Sequence, residues 1–131
     1  MLDKLPEFTQ LIDGSHKYTD VFTDGYVGPG NAHHNYLIRQ KPVESDGLVQ
    51  SGPPFVYIRF QDGPIKESGV NGVMDENLLA IVIDRLQGFQ SGKFACEENQ
   101  RALDFIQLGL QTLQLRTQNR EKRGVEGTHK I

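Results

Sequence analysis

Apolar residues recur at helical spacing in two long segments of the second half of the chain. The first predicted helix begins near Asp75, a residue type that often caps helix N-termini. Its apolar face consists of Leu79, Val82, Leu86 and Phe89. We expect this helix to end at Gly92, because glycine readily takes the positive φ that terminates helices.

The second predicted helix begins between Glu97 and Asn99 and runs to about Arg123. Its apolar residues alternate by three and four, as along a coiled-coil seam, at Leu103, Ile106, Leu110 and Leu113. Gly124 then stands where a helix-ending glycine is expected, and Lys122 suits the negative end of the helix dipole. Because the connector is short, the two helices should be antiparallel neighbours.

In the first half of the chain, apolar and β-branched residues alternate over short stretches, which predicts strands over residues 17–22, 35–40 and 55–60. Residues 2–12 are compatible with either a short helix or an irregular packing segment. The intervening segments, residues 24–34, 41–54 and 61–73, are rich in glycine and proline and are therefore predicted as loops.

The predicted fold is α+β, a small N-terminal antiparallel β-sheet followed by a long C-terminal antiparallel helical hairpin. We expect one domain over residues 1–131, with a β-rich part over 1–62 and the hairpin and its tail over 63–131. The hairpin has more apolar surface than so small a sheet can cover. We therefore also predict an obligate oligomer.

Composition argues against two classes of protein, nucleic-acid binders and membrane proteins. The formal net charge of −3 argues against long nucleic acid as a partner, because such binders usually present a basic surface. No apolar run approaches the roughly 20 residues of a membrane span, and the first residues do not resemble a signal peptide, so we expect no membrane partner and a cytoplasmic location. Cys96, the single cysteine, is predicted to be a buried structural thiol rather than a nucleophile.

The sequence contains no recognisable catalytic or metal-binding motif. His33 and His34 lie in a glycine-rich segment, but adjacent side chains point apart and no second ligand pair has metal-binding spacing. We expect these two histidines to lie in a surface loop, with no metal and no cofactor.

Basic residues concentrate at the end of the second predicted helix. Arg116 and Arg120 are one turn apart, and Arg123 follows them, so their guanidiniums could grip a diphosphate. Phe89 and Asn99 would supply a stacking surface and an amide for a base edge. Basic helix ends are common, however, so these residues alone favour a solvated helix end.

A resemblance to a known family favours a ligand site over a solvated helix end. Three segments resemble the helical hairpin shared by two kinds of phage anti-defence sponge, the Thoeris anti-defence proteins of the first type and the anti-CBASS proteins of the second type. They are G-P-I-K-E-S-G-V-N-G-V-M-D-E-N-L-L-A-I-V-I-D-R-L, F-Q-S-G-K-F-A-C-E-E-N and L-R-T-Q-N-R-E-K-R-G-V-E-G-T. The resemblance covers residues 63–128, about half of the chain, and the β-rich part before it fits the Thoeris type better.

The resemblance implies a protein without catalytic residues that sequesters a cyclic ADP-ribose-type immune signal, such as glycocyclic ADP-ribose, in the cytoplasm of the infected bacterium. Family ligand contacts fall here on Phe89, Asn99, Arg116 and Arg120, with Arg59, Lys66 and Arg123 as weaker candidates chosen for charge and position. Family members form dimers or hexamers. Some also bind cyclic di- or trinucleotides in separate pockets, for which no residues are assigned here.

Two alternatives stay open. A phosphodiesterase that destroys the signal would need two H-x-[ST] motifs, and none of the four histidines is followed by one. A structural or protein-binding hairpin would need no small ligand at all. The presence of a bound nucleotide separates this second alternative from the sponge.

Overall fold

The structure, a computed structural model, describes residues 9–11, 13–14, 16–50 and 52–131. The chain divides into two compact units, one containing the residues up to Gly63 with Val70–Gly72, and the other containing Pro64–Gly69 with Val73–Ile131. The first unit holds an antiparallel sheet and the second a helical hairpin, which confirms the predicted α+β class. That residues 1–131 form a single domain stays a prediction.

Six strands lie in the described part of the first unit. They are β1 (Thr9–Gln10), β2 (Thr19–Thr23), β3 (Asn35–Gln40), β4 (Val43–Ser45), β5 (Leu48–Gln50) and β6 (Pro54–Arg59). Four of them form one antiparallel sheet in the order β1-β2-β3-β6. The three predicted strands are confirmed as β2, β3 and β6. Strand β2 begins later than predicted because residues 16–19 form a turn, in which the His16 N–H donates to the Thr19 carbonyl at 2.9 Å.

Leu37 lies at the centre of this sheet. It pairs with Phe22 of β2 and with Tyr57 of β6, and only 2% of its surface is exposed. Two polar side chains of β2 are buried beside it, and the Thr23 hydroxyl donates to the Asn35 carbonyl at 3.0 Å. The Asp20 carboxylate forms an ion pair with the Lys41 ammonium at 3.0 Å. This pairing offsets the cost of burying the carboxylate.

The prediction of an unstructured loop over residues 41–54 is wrong, because β4 and β5 form a hairpin within it. Asp46 and Gly47 connect the two strands with φ of 53° and 78°. Positive φ at both central residues is the geometry of a tight hairpin turn whose twist matches the flanking strands, and Asp-Gly is a preferred sequence for it. The Asp46-Gly47 dipeptide is the sequence feature that would have predicted this hairpin.

Two further segments depart from expectation. Residues 61–73 contain a short helix, α1 (Ile65–Ser68), within the predicted loop. Of the segment 2–12, for which a helix or an irregular segment was expected, residues 2–8 and 12 lie outside the described residues. Thr9 and Gln10 form β1, paired with β2.

The predicted hairpin is confirmed as α2 (Asp75–Gln90) and α3 (Glu97–Lys122). Two details of its ends are wrong. Met74, rather than Asp75, is the N-cap of α2, and its N–H donates to Oδ1 of Asn77 at 2.8 Å. Ser91 caps the other end with φ of −82°, so no positive φ is needed at Gly92.

The core of the hairpin is centred on two buried side chains. Leu103, in the predicted seam of α3, is 6% exposed, and Ile83 of α2 is 9% exposed. Burying such a side chain contributes about 2 kcal/mol. The predicted α2 face is rotated from the observed one, since Val82 and Phe89 are 40% and 41% exposed. Among the described helices, none is long and apolar enough to cross a bilayer.

A candidate anion-binding pocket

An open pocket of about 640 Å³ lies in the second unit, between the end of α3 and residues 124–131, which we call the tail segment. Its volume falls within the range of small-molecule sites, roughly 300–1,000 Å³. It is lined by Thr112, Leu115, Arg116, Asn119, Arg120, Arg123, Thr128, His129, Lys130 and Ile131. The pocket is therefore built from one helix face and the chain that folds back against it.

The tail segment turns back at Gly124, whose φ of 73° confirms the predicted helix-ending glycine. Val125 follows, buried to 8% exposure, and its N–H donates to the Arg120 carbonyl at 3.1 Å. The Arg120 Nη2 donates to the carbonyls of Val125 and Thr128 at 3.0 and 3.1 Å. Arg120 thus bonds the tail segment through both its backbone and its side chain.

The lining of the pocket is strongly cationic. It contains three arginines, one lysine and one histidine but no aspartate or glutamate, although the whole chain carries a net charge of −3. Neither Arg116 nor Arg123 forms an ion pair with any described carboxylate. Guanidiniums bind phosphate and carboxylate groups through paired N–H donors. The pocket is therefore suited to an anion.

The structure brings together Arg116, Arg120 and Arg123, but it places Phe89 and Asn99 at the other end of the hairpin. Arg116 lies 17 positions beyond Asn99 within α3, a separation of roughly 25 Å at ~1.5 Å per residue. The pocket lining on α3 begins only at Thr112, which is itself 13 positions, or roughly 20 Å, beyond Asn99. The four predicted ligand contacts therefore do not meet within one chain.

At that other end, Phe89 offers an accessible ring. It is 41% exposed, and the guanidinium carbon of Arg85 lies 5.5 Å from the ring centroid. Asn99 lies in the first turn of α3, and its N–H donates to the Cys96 sulfur at 3.4 Å. Both residues are near the connector of the hairpin.

The two remaining candidates lie outside the pocket lining. The backbone N–H of Lys66, in α1, donates to the Gly127 carbonyl at 3.1 Å. Lys66 therefore contacts the tail segment without lining the pocket. Arg59 belongs to β6 in the first unit, where it pairs with Asn35 of β3. Among the weaker candidates, only Arg123 lines the pocket.

The expectation of a buried Cys96 is wrong. The thiol is free and exposed, and it serves as the N-cap of α3. Its sulfur accepts the hydrogen bond that a serine or aspartate oxygen would normally accept at that position. Cysteines are usually buried, which is why burial was predicted. Here the N-cap role at the start of α3 keeps Cys96 at the surface.

His34 lies in the predicted loop, but its side chain is largely enclosed rather than at the surface. Its side chain is 13% exposed, and Nε2 lies 3.7 Å from Oδ1 of Asp62. A hydrogen bond to Asp62, with burial and the carboxylate charge adding to it, raises the pKa of Tyr26 above its ordinary range. Among the described residues, no three histidine, cysteine or acidic side chains are grouped to hold a metal ion.

Sequence reasoning missed the contribution of the tail segment, namely Thr128, His129 and Lys130. The excess of cations over residues 114–131 was visible in the sequence. The return of the chain against α3 was not, because it depends on hydrogen bonds between Arg120 and backbone carbonyls.

The fold and the pocket define a helical-hairpin protein with a cationic site at one end of the hairpin. Residues 53–117 match the family model of the Acb2/Tad1 hairpin domain, and the chain belongs to the family that carries this domain. It is similar to a protein of Bacillus phage SBSphiJ7 named Thoeris anti-defense 1, with 53% identity over 72 residues. That alignment covers 55% of this chain and 51% of the relative, so the chain spans about half of the relative's length.

Proposed function

We propose that this protein is a phage anti-defence sponge that binds a cyclic ADP-ribose-type signal, such as glycocyclic ADP-ribose, without cleaving it and thereby blocks Thoeris immunity. The observation that carries the proposal is a pocket lined by three arginines and a lysine, with no aspartate or glutamate, in a chain of net charge −3. The hairpin family and the name of the phage relative give this pocket its biological context. Cyclic di- or trinucleotides of CBASS are further ligands that the same family relationship suggests.

In this proposal, Arg116 and Arg120 bind the pyrophosphate. Nη2 of Arg120 is occupied by two carbonyls, but Nε and Nη1 have no partner among the described residues and remain available. Arg123 adds a third guanidinium to the same lining. Charge-assisted hydrogen bonds to phosphate are about twice as strong as neutral ones, which suits a ligand whose charge is concentrated in its diphosphate.

A second copy of the chain would supply the base contacts. Phe105, Leu108 and Leu115 are exposed to 66%, 59% and 53% and follow one face of α3 with Thr112. Thr112 and Leu115 also line the pocket, so a partner that covers this stripe would close the pocket as well. If the partner hairpin runs antiparallel, its connector end approaches the arginines.

This arrangement would place Phe89 and Asn99 of one copy opposite Arg116 and Arg120 of the other. Phe89 would then stack on the base, and Asn99 would bind its edge. A sponge must bind below the concentration of its signal, which requires a Kd near 1 nM, or about −12 kcal/mol. Closure by a second subunit excludes water from the pocket and strengthens its electrostatic contacts.

The deciding experiment is incubation of the purified protein with glycocyclic ADP-ribose, followed by heat denaturation and mass analysis of the released ligand. We expect the free signal to disappear on mixing and to return intact after heating. Conversion to linear or smaller products would instead support a phosphodiesterase. Failure to deplete the signal at micromolar protein would leave the structural hairpin as the better explanation.

A further inference from the structure

The tail segment contacts α1 in addition to its hydrogen bonds to Arg120. The Lys66 N–H donates to the Gly127 carbonyl at 3.1 Å, and Nδ1 of His129 lies 3.1 Å from Oε2 of Glu67. Lys66 and Glu67 both belong to α1. The short helix α1 therefore holds the tail segment through contacts that are separate from those of Arg120.

The polar side chains of the tail segment are not equally engaged. His129 is paired with Glu67. Lys130 lines the pocket beside the arginines, and its ammonium forms no ion pair with any described carboxylate. A cation held next to other cations gains nothing from its neighbours, because like charges repel. Lys130 is thus unpaired at a place that an anion would neutralise.

We propose that Lys130 is an anion-binding residue of the pocket and that the Glu67–His129 pair positions the tail segment. Arg120 contributes to both roles, because its Nη2 holds the tail segment while its remaining donors face the proposed pyrophosphate. The inference rests on the proposed function for the identity of the nucleotide. The binding of a diphosphate group is a separate property, and it can be measured with inorganic pyrophosphate.

The first test is calorimetry with pyrophosphate on the full chain. Lys130→Ala should weaken binding about threefold to tenfold, the loss expected for one exposed charge-assisted contact. Lys122→Ala is the matched control, because Lys122 lies in the last turn of α3 and carries the same charge but does not line the pocket. Equal effects of the two variants would overturn the assignment, as would a wild-type chain that does not bind pyrophosphate.

The second test isolates the positioning role. Glu67 lies outside the pocket lining, and removing its negative charge should by electrostatics alone strengthen anion binding. If Glu67 instead holds the tail segment, Glu67→Ala should weaken pyrophosphate binding about twofold to threefold. A gain in affinity, or no change, would refute the positioning role.

A double-mutant cycle connects the two roles. If Glu67 acts through the tail segment, Glu67→Ala should cost little once Lys130 is already alanine, so the two effects should be less than additive. Full additivity would show that Glu67 acts elsewhere. If these pyrophosphate results hold but cyclic ADP-ribose signals are not bound, the proposed function fails while this inference stands.

Discussion

At the scale of single residues, the chemistry of the pocket depends on the planar forks of its arginines. Arg116→Lys keeps the charge but loses paired donation to a phosphate, so we expect it to cost about 1–2 kcal/mol of ligand affinity. Calorimetry with glycocyclic ADP-ribose at two salt concentrations measures this loss. Arg101→Lys, at an exposed position near the start of α3 and outside the pocket lining, is the control.

A diffuse basic patch would behave differently from a specific arginine contact. Lysine would then serve nearly as well at position 116, and affinity would fall steeply with salt in both proteins. Near-wild-type affinity of Arg116→Lys at low salt, lost at high salt, would therefore contradict a fork-like contact.

The Tyr26–Asp62 contact predicts an alkaline dependence of stability. Because the pKa of Tyr26 is raised in the folded state, the stabilising contribution of its neutral phenol is present below the ordinary value of 10.0 and is lost as pH rises through the higher folded value. Tyr26→Phe should be less sensitive to pH above about 10 in denaturant titrations. Tyr18→Phe, at a 63% exposed position, should keep the wild-type dependence, and an equally flattened curve there would count against this assignment.

At the scale of elements, glycine stabilises a helix end that needs positive φ but destabilises a helix interior. Gly124→Ala should destabilise the protein by about 1 kcal/mol, because alanine is strained at its φ of 73°. Gly88→Ala, within α2 and with nothing within 4 Å of an added Cβ, should stabilise it by about 0.5–1 kcal/mol. Thermal unfolding of both variants compares them, and the same sign of change in both would contradict the turn geometry at Gly124.

At the scale of the whole molecule, the exposed stripe on α3 should be an interface between copies. Leu108→Asp should remove the oligomer, because Leu108 is 59% exposed within one chain and the substitution places a charge where the partner would bury an apolar side chain. Light scattering measures the oligomer and circular dichroism the helix content. Gln114→Asp, exposed and on the far side of α3, is the control. A wild-type monomer at micromolar concentration would refute this interface.

A shared site makes a stronger prediction about mixed oligomers. Phe89→Ala and Arg116→Ala should each lose ligand binding, but co-expression should restore it in about a quarter of the sites of a random dimer mixture, because one site of each mixed dimer is intact. Titration of the co-purified mixture with glycocyclic ADP-ribose counts these sites. No recovery in verified mixed dimers would mean that each site belongs to one chain.

Much of the architecture could be predicted from local sequence. The bounds of β3, α2 and α3 follow from hydrophobic period and from Gly124, because alternation and helical spacing are properties of contiguous residues. The Asp46-Gly47 hairpin was also encoded locally, although the surrounding prolines and glycines obscured it. The sequence alone likewise grouped the three arginines, since they lie within two turns of one helix.

Tertiary structure decided the rest. Which face of α2 is buried depends on where α3 packs, so Ile83 rather than Val82 turned inward. The contribution of Lys130 depends on the return of the tail segment, which is fixed by the hydrogen bonds of Arg120 and Lys66 to backbone carbonyls. Phe89 and Asn99 are separated from the arginines because a helix is rigid and rises ~1.5 Å per residue. Sequence determined which residues have the chemistry to bind a nucleotide, and only the arrangement of helices in space determined which of them meet in one chain.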